Sequence, residues 1–282
     1  MKKQWSTGKK IFTIAAYTVC ILLTILSLFP FVIMIINATR STPEIQSHTI
    51  SLLPSTHFLD NIAILNGKAF DPIIGFKNSF IISTSATLLT LYFSSLTAHA
   101  LVSYNWKLRQ PFFTFIMAVM MIPAQITGIG FFQFMYSIHM VNNFLPLIIP
   151  AMAAPAGVFF MRQFMLASLP LELLEAARID GSHEFYTFNR IVLPLMKPAL
   201  ATQGIFAFVT SWNALFMPMV LLTASKNYTM PLMVQLLRGN IYQTEYGAIY
   251  LALMLTVLPL FVIYFALSKY IIAGVALGGV KG

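Results

Sequence analysis

Charge is what this chain has least of. Asp, Glu, Lys and Arg make up 9% of its 282 residues and 58% are hydrophobic, whereas a soluble domain carries about 25% charged residues. A water-soluble globule with a charged shell is thereby excluded. Acid is the scarcer sign, with 8 Asp plus Glu against 17 Lys plus Arg and a net charge of +9. The basic residues fall in ones and twos between apolar runs, so no basic face exists to track a phosphate backbone, and nucleic acid is excluded as a partner. Cysteine is nearly absent. Cys20 stands alone in an apolar run, cannot close an internal disulfide, and is read as a small hydrophobe.

Several chemistries are missing as well. No G-x-x-x-x-G-K-[ST] occurs, and Gly8-Lys9-Lys10 lacks both the upstream glycine and the hydroxyl, so the chain does not bind ATP in the P-loop manner by itself. His48, His57, His99, His139 and His183 show no metal-ligand spacing, and no metal site is expected. Gly128-Ile-Gly130 follows no strand and reads as close helix packing. The apolar runs hold no aspartate pair for intramembrane proteolysis. Nor do they hold charges for a proton relay, although broken helices bind sodium through backbone carbonyls. Energy for uphill movement is therefore expected to enter from outside the bilayer.

What is present is apolar length. Residues 11–36, 79–103, 112–138, 144–161, 201–223 and 247–267 contain no Asp, Glu, Lys or Arg, and roughly 20 such residues cross a bilayer. The first run follows Lys2, Lys3, Lys9 and Lys10 but is too long for the ~7–15-residue apolar core of a signal peptide. The pattern predicts an all-α membrane protein of six transmembrane helices. With both termini cytoplasmic, the inner side holds Lys2, Lys3, Lys9, Lys10, Lys107, Arg109, Arg162, Arg178, Arg190, Lys197, Lys269 and Lys281. The outer side holds Arg40, Lys68, Lys77, Lys226 and Arg238. That is the positive-inside bias. Residues 37–78 are expected to form an outer loop with short helices or a small cap.

Against this background, "EAARIDGSHEFYTFNRIVLP" (175–194) concentrates charge. Upstream, Pro170 suits a first helical turn. Glu172 and Glu175 favour the positive end of a short helix, and Arg178 the negative end. Gly181 supplies a left-handed stop. A second short helix follows, which Pro194 and Pro198 end or bend. The first helix is too short and too polar to span. Glu175 and Arg178 can pair on one face or reach a partner, Ala176 and Ala177 allow close approach, and Leu173, Leu174 and Ile179 anchor it. Such a helix docks into a groove on another protein or lies on the headgroups; local chemistry alone leaves both open.

Glu175-Ala176-Ala177, Gly181 and Ile191-x-Leu193-Pro194 resemble the E-A-A-x-x-x-G-x9-I-x-L-P signature of type I ABC importer permeases. The resemblance implies the MetI-like type I ABC permease fold and a layout of three parts. Residues 1–77 would hold the N-terminal tail, first span and outer loop. Residues 78–270 would be the core, with a coupling loop at 162–200, and 271–282 a cytoplasmic tail. It also implies that Glu175, Ala176, Ala177, Arg178, Asp180 and Gly181 form a coupling helix seated in a cytoplasmic ATPase dimer, with Ile191, Leu193 and Pro194 completing the signature. ATP and Mg would be bound by that ATPase; this chain would carry no cofactor and no catalytic residue. The other implied partners are a second permease subunit in a heterodimer, an extracellular or periplasmic solute-binding protein, and the lipid of a bacterial cytoplasmic (inner) membrane.

Within that family the chain is similar to the second permease of maltose-type carbohydrate importers. Asn78-Ser79 at the second span, Ser211-Trp212-Asn213 in the fifth and the "GGVKG" tail carry this likeness. Lys281 is thereby a second candidate ATPase contact, and residues 223–246 resemble the loop that meets the binding protein. Sugars want aromatic faces and amide or hydroxyl partners, so Trp212, Asn213, Gln125, Gln133 and Tyr136 are the expected substrate path. Amino-acid, peptide or phosphate cargo shares the same loop, and a stand-alone channel or ion-coupled carrier is the rival of another class.

Overall fold

A backbone immersed in hydrocarbon has no water to bond, so it must satisfy its own N–H and C=O groups as a helix or a closed barrel. The computed structural model describes residues 7–48, 50–67, 70–238 and 244–279. It takes the first course, and no strand occurs among the described residues. In chain order the helices begin with α1 (Thr7–Asn37), α2 (Thr42–Ser47), α3 (Phe58–Asn66), α4 (Pro72–Ser103), α5 (Arg109–Val119) and α6 (Ala124–Ser137). There follow α7 (Leu145–Ile148), a 3-10 turn Ile149–Met152, α8 (Pro155–Ser168) and α9 (Leu171–Ile179). Next come α10 (Glu184–Thr187), a π turn Phe188–Val192, α11 (Leu193–Leu195), α12 (Lys197–Trp212), α13 (Phe216–Leu221), α14 (Met230–Leu236) and α15 (Tyr246–Gly279).

Four segments are long and apolar enough to cross a membrane: Ile11–Asn37, Pro72–Ser103, Leu145–Ser168 and Tyr246–Ala266. A fifth candidate is the pair Glu184–Leu195 and Lys197–Trp212, bent by 81°. Six transmembrane helices were expected; Leu145–Ser168 passes as one span although a turn joins α7 to α8, and two further apolar runs are interrupted. Residues 112–138 divide between α5 and α6, because Pro123 cannot donate to the preceding turn and drives Ile122 out of helical conformation. Residues 201–223 divide between α12 and α13. In one continuous helix the ring of Pro218 would strike the carbonyl of Ala214, and the break falls just before it. Pro30 and Pro259 are carried inside α1 and α15, so proline permits a break and packing decides whether it is taken.

The chain forms two compact units. One comprises Met1–Phe70 and Val234–Val257, and the short helices expected in its outer segment are α2 and α3. Buried Arg40 ties that segment together, donating to Asn37 Oδ1 at 2.9 Å and to the carbonyls of His48 at 2.8 Å and Glu44 at 2.6 Å. The Asn61 amide donates to the carbonyls of Ala38 and Arg40, and the Thr42 hydroxyl to Glu245 Oε2 at 2.7 Å. These bonds satisfy polar groups that burial would otherwise make costly.

The other unit comprises Asp71–Met233 and Leu258–Gly282. At its centre α4 packs against α8, α12 and the Ile149–Met152 turn. Contact with α8 is close: a Cβ on Gly157 would lie 2.5 Å from Ser94 Oγ and 3.3 Å from Thr90 Cγ2. Of the glycine pair in α6, Gly128 packs against Phe216 of α13, whereas Gly130 meets nothing within 4 Å. Asn78 and Ser79 clamp α4 to the segment before α14. The Asn78 amide donates to the carbonyls of Lys226 and Tyr228 at 2.9 and 3.0 Å, and Ser79 Oγ accepts from Met230 N–H at 2.9 Å.

Candidate functional site: the α9 loop and an uncharged cavity

Leu, Glu and Ala are strong helix formers, and α9 forms over Leu171–Ile179 with Pro170 immediately before it. Its end is a Schellman motif. Gly181 takes φ +77°, the Ser182 N–H reaches the Ala177 carbonyl at 2.9 Å, and the Gly181 N–H reaches that of Arg178 at 3.0 Å. One stripe of α9 turns inward, with Leu174 2% exposed and Ala177 7%. Leu174 enters an apolar core with Val102 of α4, Met161 and Met165 of α8, Phe188 of the π turn and Met196. The helix is thus seated on the spans through its own side chains. The opposite face, with Glu172, Leu173, Glu175, Ala176, Ile179 and Asp180, is exposed, Ile179 to 86%.

This placement corrects two expectations. Ala177 gives no outside partner a close approach, because the chain's own core covers it; Ala176 holds the open position. Arg178 does not pair with Glu175. Its Nε donates to Glu184 Oε1 at 2.8 Å and its guanidinium stands 5.1 Å over the Tyr104 ring. The Tyr104 hydroxyl donates to Glu184 Oε2 at 2.5 Å. Arg178's hydrogen bond, and then Tyr104's, hold the Glu184 carboxyl below the usual carboxylate range, while burial and then Glu184 push the Tyr104 hydroxyl up. Both partners of the ion pair are substantially exposed, so its role is to fix geometry more than to add stability. The cluster joins α9 and α10 to the end of α4. Ile191 and Leu193 are half-buried and Pro194 is exposed. The bend between α11 and α12 falls between Pro194 and Pro198, as the prolines predicted. Lys281 lies outside the described residues.

A cavity of about 1000 Å³ opens beside α4, bounded by α8, α12, α13 and the turn before α8. None of the five residues expected on a substrate path lines it. Trp212 is 1% exposed, stacked on Phe208 at 5.6 Å and near Phe76 at 6.2 Å; its large apolar body is spent on internal packing. Gln125, Gln133 and Tyr136 are exposed on α6, where Gly128 and Met135 are buried. Asn213 is exposed in the break after α12. The lining holds Ser79, Ser83, Thr90 and Thr229 instead. Ser79, Ser83, Thr87, Thr90 and Ser94 recur every three or four residues and are all buried. That stripe was legible as helical periodicity in small polar residues.

Comparison with known proteins bears on both features. The family described as "Binding-protein-dependent transport system inner membrane component" matches residues 90–276. The arabinooligosaccharides transport system permease protein AraQ of Halalkalibacterium halodurans is 36% identical over 259 residues, 91% of this chain and 92% of that protein. The lactose transport system permease protein LacG of Rhizobium radiobacter is 31% identical over 268 residues, 95% of this chain and 96% of that protein. Among solved structures, a bacterial ABC transporter involved in import of the acidic polysaccharide alginate has a chain with a TM-score of 0.77 at 21% identity, covering 96% of this chain and 100% of its own.

Proposed function

The chain belongs to the family of binding-protein-dependent transport system inner membrane components, and we propose that it is one of two unlike permease subunits in an ATP-driven sugar importer. Six crossings, two of them through broken helices, would leave both termini in the cytoplasm of a bacterial inner membrane, as the basic residues favour. A separate cytoplasmic ATPase dimer binds ATP and Mg, and a solute-binding protein delivers cargo from outside; this chain itself catalyses nothing. Sugar cargo is supported by the relatives that carry arabinooligosaccharides and lactose.

One observation carries the coupling role. Leu174 and Ala177 fix α9 to the spans, while its other face, with Glu175 and Ala176, is left for a partner. Closure of the ATPase dimer against that face would push on the Leu174 core and on the Arg178–Glu184–Tyr104 cluster, and so move α4.

The test is co-purification from the native host in mild detergent. Wild type should bring down a second permease and an ATPase. Ala176→Trp should keep the second permease and lose the ATPase, because the bulk sits on the docking face. Ala177→Trp should instead lower the yield of folded chain. A chain that purifies alone, indifferent to Ala176→Trp, would make α9 an interfacial helix and favour a stand-alone carrier.

A further inference from the structure

We propose that Arg162 and Arg109 form a binding site for the phosphate of an anionic phospholipid in the cytoplasmic leaflet. Ionisable side chains within a span ordinarily pair with an opposite charge or a backbone carbonyl. Arg162, in α8, does neither. Its guanidinium carbon stands 4.0 Å over the Phe113 ring, its Nε is buried without a hydrogen-bond partner, and its terminal nitrogens make no hydrogen bond or ion pair among the described residues. Only Nε is shut off from the surface; Nη1 and Nη2 are accessible. The charge that bears on Arg162 is a second cation, Arg109 at the start of α5. Arg109 and Phe113 are one turn apart, so one face of α5 carries both guanidinium groups. The Arg109 guanidinium reaches the Tyr104 carbonyl at 3.4 Å and no carboxylate among the described residues. Two neighbouring cations disfavour one another, and an anion between them removes that cost. The chain has none at hand: between Asp71 and Glu172 the sequence holds neither Asp nor Glu.

The surroundings select the anion. Trp106, Leu108 and Phe112 around Arg109 are exposed, and the rings of Trp106 and Phe112 lie 5.8 Å apart. Such aromatic residues mark the depth of the headgroups. Arg162 stands six residues before the end of α8 at Ser168, about 9 Å of helix, and a long cationic side chain there reaches headgroup level. Lys107 adds a third, exposed cation. Basic pockets between spans on the cytoplasmic side are where anionic headgroups bind. A phospholipid supplies phosphate oxygens for the planar guanidinium forks and acyl chains for the exposed apolar neighbours; a protein carboxylate supplies only the first. The leaflet follows from the orientation proposed above, and the contact does not depend on the cargo.

The test uses the full chain with whatever partners it brings, purified in mild detergent and stripped of lipid. Native mass spectrometry then counts bound phosphatidylglycerol and phosphatidylcholine of matched acyl chains. Wild type should prefer phosphatidylglycerol. Arg162→Met, which keeps bulk over Phe113, should weaken that lipid about fivefold, the worth of one cation at an anionic surface, and leave phosphatidylcholine unchanged. Adding Arg109→Gln should deepen the loss to about twenty-five-fold by the same measure, and Arg162→Lys should restore most of the preference. No preference in wild type, or one that the double variant retains, overturns the site. Displacement of the lipid by inorganic phosphate would make it a site for a free anion and overturn the lipid. Loss of a partner subunit from Arg162→Met, with the lipid preference intact, would hand the arginines to that partner's carboxylate. Should Arg162→Met fail to fold, Arg109→Gln decides alone by the fivefold criterion. Each readout is headgroup binding, so failure of the sugar-importer reading would leave the site standing.

Discussion

Gly181 turns the chain out of α9 at φ +77°, and a Cβ there would meet nothing within 4 Å. The penalty for any other residue is therefore conformational and not steric. Gly181→Ala should cost about 1 kcal/mol, the price of a left-handed L-residue. Gly181→Asn should cost less, because asparagine visits that region more readily. The order wild type, Asn, Ala should appear in the amount of ATPase retained on co-purification; equal retention by all three would show that the Schellman turn does not set the docking face. This turn was legible in the sequence because its requirement is local. The direction of Ala177 was not. Which stripe of a nine-residue helix turns inward depends on Phe188, Met161 and Met165 arriving from elsewhere in the chain, and no spacing within 175–181 records that. The burial of Trp212 was hidden for a related reason: its aromatic face suggested a platform for a sugar, but Phe208 and Phe76 pack against it.

Among elements, the α4–α8 contact is the one that holds the cavity in place. Lipid offers helices no hydrophobic drive to associate, so close approach through small residues does that work. Gly157→Leu would press a side chain onto Ser94 and Thr90, whereas Gly130 faces open space. We expect Gly157→Leu to destabilise by about 1–3 kcal/mol, the usual range for overpacking, and Gly130→Leu to be near neutral. Thermal melting of the detergent-solubilised chain, followed by size exclusion, would read the difference; equal melting would mean that α4 and α8 do not depend on this contact. The long, evenly apolar elements α1, α4 and α15 were recognisable from hydropathy alone. The divisions at Pro123 and before Pro218 were not, because Pro30 and Pro259 show the same residue tolerated inside a helix. Tertiary packing makes that choice, and periodicity cannot see it.

At the scale of the whole molecule the number of crossings sets the side on which each loop lies. Each interrupted run decides the side of everything after it, so the two breaks can be read as parity. If both cross, with the N-terminus inside, Glu172 on α9 faces the cytoplasm and Lys226 faces outward; both side chains are exposed. Cys20 is the only cysteine in the sequence, so a Cys20→Ser background admits single reporters. Lys226→Cys should react with a membrane-impermeant maleimide on intact cells, and Glu172→Cys only after permeabilisation. Were 112–138 to re-enter without crossing, the two labels would exchange sides. Were 201–223 the run that fails to cross, both would label from one side. The first and third patterns put the charged face of α9 where a cytoplasmic ATPase can meet it, with Arg162, Arg178, Arg190 and Lys197 on the side that positive-inside bias assigns them, and only the first also sets Lys226 outside; the second pattern would deny α9 a cytoplasmic partner.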